Sequence, residues 1–356
     1  MAARAVQGVG GALLVPGSLA LVQAAFHTDD RARAVGAWSG MSGVAGAAGP
    51  LLGGAVVDAA GWRWVFWINV PIAVVVAVLM LRHVPDARDG TAGRGRLDVT
   101  GAALAALGLG ALTYSLTDAA GGRLPAAVVG VLAMAAFVLV ERRAAAPMLP
   151  LELFSVRAFS AANLASFCLY GAVAGMFFLL PMQLQITTGY SPLATGTALL
   201  PITAVVLVLS PRTGTLVTRV GPRVPLVAGS VTCAVAALLA VRVGPDSSYL
   251  TDVLPVVLAA GLGISAVTAP ISVTVLSAVP DGRAGIASGV NNGVARAAGL
   301  LVVAALPLLA NLPQDATHAP EALSRGFDVS MLVCAGLYLL GGVVAWFGTA
   351  RSSRRG

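Results

Sequence analysis

Two segments of the chain, residues 33–50 and residues 283–300, are near copies of each other. Nine of their 18 aligned positions are identical, and each segment opens an apolar run long enough to cross a bilayer. Repeated segments of membrane-spanning length at this separation predict a chain built from two related halves. The most informative mismatch aligns Arg296 with Gly46, because it places a cation inside an apolar run.

The composition excludes a soluble fold. Of the 356 residues, 58% are hydrophobic and 10% are charged, and the mean hydropathy is +0.89. A soluble domain of this size needs a charged surface of about a quarter of its residues. The sequence therefore predicts an all-α integral membrane protein, a helical bundle that crosses the bilayer many times.

Eleven apolar runs of helical length are separated by charged residues or by Pro and Gly. They fall at about 5–25, 34–57, 64–81, 98–117, 124–140, 160–187, 193–211, 224–243, 251–277, 285–309 and 329–348. Most reach the roughly 20 residues that a transmembrane helix needs, and the run at 124–140 is the shortest. The apolar residues are continuous within each run and do not alternate, which excludes a transmembrane barrel.

Arginine is distributed unevenly between two alternating sets of loops. Sixteen Arg residues lie in one set and in the C-terminal tail, and only four lie in the other, namely Arg63, Arg123, Arg242 and Arg325. The positive-inside rule makes the Arg-rich set and the C-terminus cytoplasmic, so eleven spans place the N-terminus outside. The basic residues follow loops and form no single face, so we expect no nucleic-acid partner.

All 22 basic residues are Arg and none is Lys. This usage is typical of a GC-rich bacterial genome, so we expect a multi-pass protein of a bacterial cell membrane. Cys168, Cys233 and Cys334 lie in separate apolar runs without a CxxC motif or a nearby His. We interpret them as packing residues, and we expect no metal and no cofactor.

Several short motifs follow one another in order along the chain. From Arg4 the chain reads RAVQGVGGALLVPGSLAL, which includes Gln7 and resembles the fourth-helix signature of the major facilitator superfamily. A glycine-rich fifth-helix motif of its proton-coupled antiporters, ending GP-x-x-GG, is matched by Gly36, Gly49, Pro50, Gly53 and Gly54. The resemblance implies that these glycines form a tight seal between helices, and generic small-residue packing is the alternative.

Three further segments extend the resemblance over essentially the whole chain. WRWVFWINVPIA from Trp62 and TGYSPLATGTALLP from Thr188 are similar to the fourteen-span drug:proton antiporter branch. GTLVTRVGPR is similar to a cytoplasmic loop motif of the superfamily, matched at Gly214, Arg219, Gly221 and Arg223. Thr218 stands where the family often has Asp, so we assign no gating salt bridge to this loop.

On this resemblance, the eleven spans correspond to spans four to fourteen of a fourteen-span transporter, and the repeat pairs spans five and thirteen. We expect the first three spans to be missing, and an upstream extension to carry them together with an acidic residue. The expected organisation is a remainder of the N-terminal half (1–85), two linking spans with cytoplasmic loops (86–159), a C-terminal six-helix half (160–350) and a cytoplasmic tail (351–356).

Two cations, Arg4 and Arg296, fall within predicted spans, where a charge is costly and is usually retained for pairing or function. The resemblance links Arg4 to proton transfer, although its place near the span end also allows it to reach the interface. Arg296 is set deeper, with Asn291 and Asn292 about one turn away. We predict that Arg296 lines a cavity, and pairing with backbone carbonyls is the alternative.

Polar residues in the span at 160–187 suggest a second part of the pathway. Asn163 and Tyr170 share a helical face, and Gln183 falls off it by about a third of a turn. With apolar neighbours, these residues suit a cavity for an amphipathic substrate, and ordinary interhelical hydrogen bonding is the alternative.

No carboxylate falls in the middle of a predicted span, although proton coupling needs a group that titrates in the pathway. Three explanations stay open: the proton carrier lies in missing helices, Asp58 or Asp328 acts from a rim, or coupling is absent. We favour the first.

The sequence favours a secondary transporter, a monomer in the lipid bilayer that exports small organic molecules or drugs in exchange for protons. A chain without Lys cannot contain the nucleotide-binding motif of an ATP-driven pump. A membrane enzyme is disfavoured because catalytic acids, His and Cys do not cluster. A truncated remnant without transport activity and a metabolite exporter without proton coupling stay open as alternatives.

Overall fold

The computed structural model describes residues 6–11, 14, 45, 49, 51–83, 98–117, 122–144, 147–280, 283–312 and 319–348. These residues form helices and their connections, and no β-strand occurs among them. Nine helices in these ranges are long and apolar enough to cross a membrane. The prediction of an all-α membrane protein is confirmed.

The chain divides into two compact units, Met1–Arg94 and Gly95–Gly356. In the first unit, α1 covers Leu51–Ala60, α2 covers Trp64–Trp67 and α3 covers Asn69–His83. Helices α2 and α3 together make the span Trp64–Arg82, which matches the span predicted at 64–81. The spans predicted at 5–25 and 34–57 fall largely outside the described residues.

Eight long helices lie in the described part of the second unit. They are α4 (Val99–Thr117), α5 (Arg123–Arg143), α6 (Arg157–Ile186), α7 (Pro192–Val220), α8 (Arg223–Ala240), α9 (Leu254–Ser277), α10 (Ala284–Leu309) and α11 (Pro320–Gly348). A 3-10 helix, Leu151–Ser155, precedes α6, and one π-helical turn, Tyr249–Val253, precedes α9. Each span predicted after residue 97 is matched by one of these helices.

Two of the helices are longer than predicted. Helix α7 runs past residue 211 to Val220, and α11 begins at Pro320 although its span was predicted from 329. The predictions ended each span at charge or punctuation, but a helix ends where its capping residues end it. At α7, Ser191 accepts a hydrogen bond from the Ala194 N–H at 3.1 Å, and Gly221 closes the other end with φ +77°.

Helix α6 is at the centre of the second unit, where it packs against α9, α10 and α11. Helix α9 packs against α7 and α8, and α8 packs also against α11. The closest approaches use glycine, since a Cβ on Gly229 of α8 would lie 2.9 Å from the carbonyl oxygen of Gly263 on α9. Close contact through small residues is how membrane helices associate without a hydrophobic drive between them.

Helices α4 and α5 pack along each other as a helical hairpin, and α4 also packs against α10. A Cβ on Gly130 of α5 would lie 2.7 Å from Leu112 Cγ, so glycine brings these two helices together as well. The hairpin occupies the place predicted for the two linking spans, and it belongs to the same compact unit as α6 to α11.

Candidate functional site

A cavity of about 600 Å³ lies between α6, α9 and α10. This volume is within the range of about 300–1,000 Å³ that small-molecule sites occupy. The lining is mixed, with apolar residues around a small set of polar ones. The polar lining residues are Tyr170 of α6, Ser272 of α9, and Ser288, Asn291, Asn292 and Arg296 of α10.

Helix α10 supplies most of the polar lining through its regular spacing. Ser288, Asn292 and Arg296 follow one another at intervals of four residues, and all three line the cavity. Residues four apart on an α-helix share a face, so one stripe of α10 carries the polar groups. Gly299 continues the stripe, and a Cβ there would lie 3.2 Å from Ala174 Cβ of α6. This close contact holds α10 against α6 beside the cavity.

Arg296 is the single charged residue of this lining, which contains no carboxylate. Within the described ranges, the one ion pair joins Arg283 to Glu152 at 3.4 Å, so Arg296 is not paired with an acid there. An unpaired guanidinium at membrane depth is costly and offers up to five hydrogen-bond donors. The cavity therefore presents a fixed positive charge to whatever enters it.

Asn291 connects the cavity lining to α6. Its side-chain Nδ2 donates to Ser166 Oγ at 2.7 Å and to Asn163 Oδ1 at 3.2 Å. Asn163 in turn donates to the Phe159 carbonyl at 2.9 Å and is buried. The structure thus brings Asn163 and Asn291 together, but Asn163 is not part of the cavity lining.

The other two polar residues predicted near this site do line the cavity. Tyr170 lies on its α6 wall, and Asn292 lies on its α10 wall. The Asn292 Nδ2 donates within its own helix, to the Ser288 carbonyl at 3.0 Å. Its side-chain oxygen therefore stays available as an acceptor on the cavity face.

Gln183 does not reach the cavity. Its side chain is fully buried, and its Nε2 donates to the Val243 carbonyl at 2.9 Å and to Ser324 Oγ at 3.2 Å. The Thr187 hydroxyl donates to its Oε1 at 3.2 Å. Thirteen residues along α6 place Gln183 about 20 Å from Tyr170, so it joins helices at another level of the bundle.

The predicted pathway residues of the first unit are described only in part. Gln7 lies in the helical stretch 6–11 with an exposed side chain. Arg4 lies outside the described residues, so its predicted link to proton transfer stays a prediction.

The predicted antiporter glycine motif is also described in part. Gly36 and Pro50 lie outside the described residues, whereas Gly49, Gly53 and Gly54 are helical. No described residue lies within 4 Å of a Cβ built on Gly49 or on Gly53. A close helix contact is therefore not seen at these two positions, and the predicted seal stays a prediction.

The segment predicted as a cytoplasmic loop motif is mostly helical, and its assignment to the motif stays a prediction. Gly214 and Arg219 lie within α7, and Arg223 is the first residue of α8. The connection is reduced to Gly221 and Pro222. The positive φ of Gly221 ends α7 sharply, and the chain then enters α8 without a longer loop.

Arg223 holds the start of α8 against the end of α11. Its guanidinium carbon lies 4.0 Å from the centroid of the Trp346 ring, in cation–π geometry. Beside it, Arg157 Nη2 donates to the Phe347 carbonyl at 3.2 Å. These contacts assign Arg223 a packing partner that the motif alone did not indicate.

Ser166, Ser272 and Ser288 were not predicted as site residues. Ser288 carried a signal, because it lies one helical turn before Asn292 in the same polar stripe. Ser166 and Ser272 carried none, since a lone Ser in an apolar helix usually bonds to its own backbone.

The described residues contain no group of three or more His, Cys, Asp or Glu side chains that could hold a metal ion. Cys168, Cys233 and Cys334 are free and buried. Cys233 Sγ is a close neighbour of Gly263, which is consistent with packing between α8 and α9.

Fold and cavity together define a multi-pass helical membrane protein with a polar recess between its helices. The sequence profile of the Major Facilitator Superfamily matches residues 1–304, and the chain belongs to that superfamily. The resemblance drawn from the motifs is confirmed at this level.

Curated relatives are named for drug and antibiotic resistance. The chain is 37% identical to the multidrug resistance protein Stp of Mycobacterium tuberculosis, over 81% of the chain and 54% of that protein. It is 34% identical to the puromycin resistance protein pur8 of Streptomyces alboniger, over 97% of the chain and 72% of that protein. It is 32% identical to the tetracenomycin C resistance and export protein of Streptomyces glaucescens, over 94% of the chain and 65% of that protein. The chain thus spans about half to three quarters of these relatives.

Proposed function

We propose that this protein is a secondary transporter that exports small organic molecules from a bacterial cell, and that the cavity between α6, α9 and α10 binds them. The observation that carries the proposal is a cavity of about 600 Å³ whose polar groups converge from three helices. Membership of the superfamily and the resistance and export names of its relatives support the direction of transport.

The charge of the cavity narrows the substrate class. Arg296 supplies a positive charge, and the described lining supplies no acid to neutralise it. A bound carboxylate, phenolate or enolate would form a charge-assisted hydrogen bond with the guanidinium. We therefore expect substrates that present an anionic or strongly accepting group to Arg296 and an apolar body to Val173, Val275 and Leu276.

Proton exchange is the finer part of the proposal and rests on the motif resemblance. A permease that moves substrate without protons is the second candidate, because no carboxylate lines the described cavity. A measurement of efflux with and without an imposed pH gradient separates the two.

The orientation and the division of the chain are proposals as well. The excess of Arg in one set of loops places the connection between α7 and α8 in the cytoplasm. The α4–α5 hairpin would then be the linking pair between residues 86 and 159, and α6 to α11 would form the C-terminal half. Reporter fusions after Arg94 and after Gly244 should report cytoplasm and exterior, and the same side for both would contradict this topology.

The test of the proposed function is export by cells that express the chain and lack their own exporters. Cells loaded with a fluorescent organic anion should lose it faster than cells without the chain. Arg296→Ala should reduce this export at least tenfold, because a charge-assisted pair with the substrate is worth about 1.5–3 kcal/mol. The membrane-inserted amount of the variant should equal that of the wild type.

The matched control is Arg325→Ala, which removes the same charge from an exposed position on α11 outside the cavity. This control should export normally. Equal export by Arg296→Ala and the wild type would contradict a binding role for Arg296, and a preference for a cationic analogue of the same dye would contradict the proposed substrate class.

A further inference from the structure

Two acidic side chains meet at the open end of the α4–α5 hairpin. Asp98 immediately precedes α4, and Glu141 lies in the last turn of α5 with only 3% of its surface exposed. One oxygen of each carboxyl group lies beside the same glycine, Gly101, so the two groups are close neighbours. A Cβ on Gly101 would lie 2.5 Å from Asp98 Oδ2 and 2.8 Å from Glu141 Oε1, so glycine is what permits this approach.

The hydrogen bonds of this pair leave one atom of each group without a donor. Asp98 Oδ1 accepts from the Gly101 N–H at 2.7 Å, and Glu141 Oε2 accepts from the Leu149 N–H at 2.9 Å. Asp98 Oδ2 and Glu141 Oε1 are buried and have no hydrogen-bond partner among the residues that the structure describes. Two ionised carboxylates offer only acceptors, so the facing oxygens would repel each other.

We propose that Asp98 and Glu141 form a proton-binding site in which the two carboxyl groups share one proton. A single hydrogen bond between Glu141 Oε1 and Asp98 Oδ2 gives both orphan oxygens a partner. All four carboxyl oxygens are then satisfied, two by backbone N–H groups and two by the shared proton. This site lies outside the proposed substrate cavity and does not depend on the proposed function.

The helix ends assign the proton to Glu141. Asp98 caps the N-terminus of α4, where the helix dipole and the Gly101 N–H stabilise a negative charge. Glu141 lies at the C-terminus of α5, where the dipole opposes a negative charge. Among the described residues, the charged groups beside Glu141 are Arg142, Glu152 and Arg283, which line an adjoining cavity of about 620 Å³. Arg283 is paired with Glu152, and neither arginine bonds to the orphan oxygens.

The proton couples the hairpin to the segment that leads into α6. Leu149 binds Glu141 through its backbone N–H, and the chain continues from there through the 3-10 helix into α6. With the proton bound, the ends of α4 and α5 and the residue Leu149 are joined in one hydrogen-bonded unit. Loss of the proton places two negative charges in contact and loosens that unit.

The test is the infrared spectrum of the purified full chain in detergent, which resolves the carbonyl stretch of a protonated carboxyl group. At neutral pH, the wild type should show one such band that Glu141→Gln and Asp98→Asn both remove. Both amides keep the shape of the pair and donate in place of the proton, so the variants should fold, and an unchanged elution volume and melting profile check this. Glu152→Gln is the matched control, since it removes a nearby exposed acid and should leave the band in place.

A neutral-pH spectrum in which neither substitution changes the protonated-carboxyl region would overturn the proposal. So would a dependence of the wild-type spectrum on added sodium or potassium at constant pH, because a metal cation would then occupy the site. As an independent readout, exchange of the Leu149 amide hydrogen should quicken as the pH rises in the wild type. That acceleration should be absent in Glu141→Gln, apart from the intrinsic effect of pH, and equal acceleration in both would also overturn the proposal.

Discussion

Arg296 on α10 and the Asp98–Glu141 pair on the α4–α5 hairpin handle charge in opposite ways. Arg296 faces a cavity whose described lining supplies no acid, so its charge is open to an anionic group that enters the cavity. Asp98 and Glu141 face each other, and their remaining oxygens are satisfied by backbone N–H groups. On the two proposals made above, the unpaired charge of Arg296 serves binding, whereas the shared proton of Asp98 and Glu141 joins two helix ends.

The strongest challenge to this comparison is Gly101→Ala. The new Cβ would lie under 3 Å from both facing oxygens, Asp98 Oδ2 and Glu141 Oε1. The other oxygen of each carboxyl group accepts a backbone hydrogen bond, which holds the group in place. Overpacking of this kind costs about 1–3 kcal/mol, which exceeds the gain of about 1 kcal/mol from replacing Gly by Ala in a helix. The melting temperature in detergent should fall and the shared-proton infrared band should weaken.

The control for that variant is Gly110→Ala in the same helix, where a Cβ meets nothing within 4 Å. Gly110→Ala should leave the melting temperature unchanged or raise it slightly. If the two alanine variants show the same melting temperature and the same infrared band, the carboxyl pair does not depend on the close approach at Gly101.

The two asparagines of α10 sharpen the comparison on the cavity side. Asn291→Ala removes two hydrogen bonds to α6, so it should destabilise the protein by about 1–2 kcal/mol. Asn292→Ala removes only a bond within α10, so its main effect should be weaker substrate binding at nearly normal stability. Thermal unfolding and substrate affinity should be measured on both variants. Asn291→Ala should show the larger loss of stability, and Asn292→Ala should show the larger effect on substrate affinity relative to its stability. Similar losses of stability in both variants would contradict the view that the hydrogen bonds of Asn291 to α6 stabilise the packing of α10 on α6.

We expect the smallest change in stability for Arg223, a cation that has a partner within the protein. Its partner is the Trp346 ring, and a cation–π contact is worth about 0.5–2 kcal/mol. Arg223→Leu should lower the melting temperature slightly and leave the proposed preference for anionic over neutral substrates unchanged. A change in that preference would mean that Arg223 also influences the cavity.

The sequence was sufficient for the parts of the structure that depend on helical period. The polar stripe through Asn292 and Arg296 follows from residues four apart on one helix, and long apolar runs located each described span. Helix ends were less predictable, because α7 continues to Val220 and stops at Gly221, and α11 already begins at Pro320.

Contacts between distant parts of the chain were not predictable from the sequence. Asp98 and Glu141 lie at the ends of two different spans, and only the packing of α4 on α5 shows that they meet. Gln183 was grouped with Tyr170 because both are polar residues of one helix. Its actual partners are Val243, in the connection after α8, and Ser324 of α11, and no local pattern connects either of them to Gln183.

The two-residue connection between α7 and α8 limits how these helices can move. Consecutive Cα atoms are 3.8 Å apart, so the Cα atoms of Val220 and Arg223 can never be more than about 11 Å apart. Their opposite ends have no such tether, and α9, which forms one wall of the cavity, packs against both helices. The ends of α7 and α8 at Gly221 and Pro222 must therefore stay close together in any conformation. If the two helices move apart, the distance between them must increase most at the ends away from this connection. The two-residue connection therefore restricts the direction in which α7 and α8 can separate.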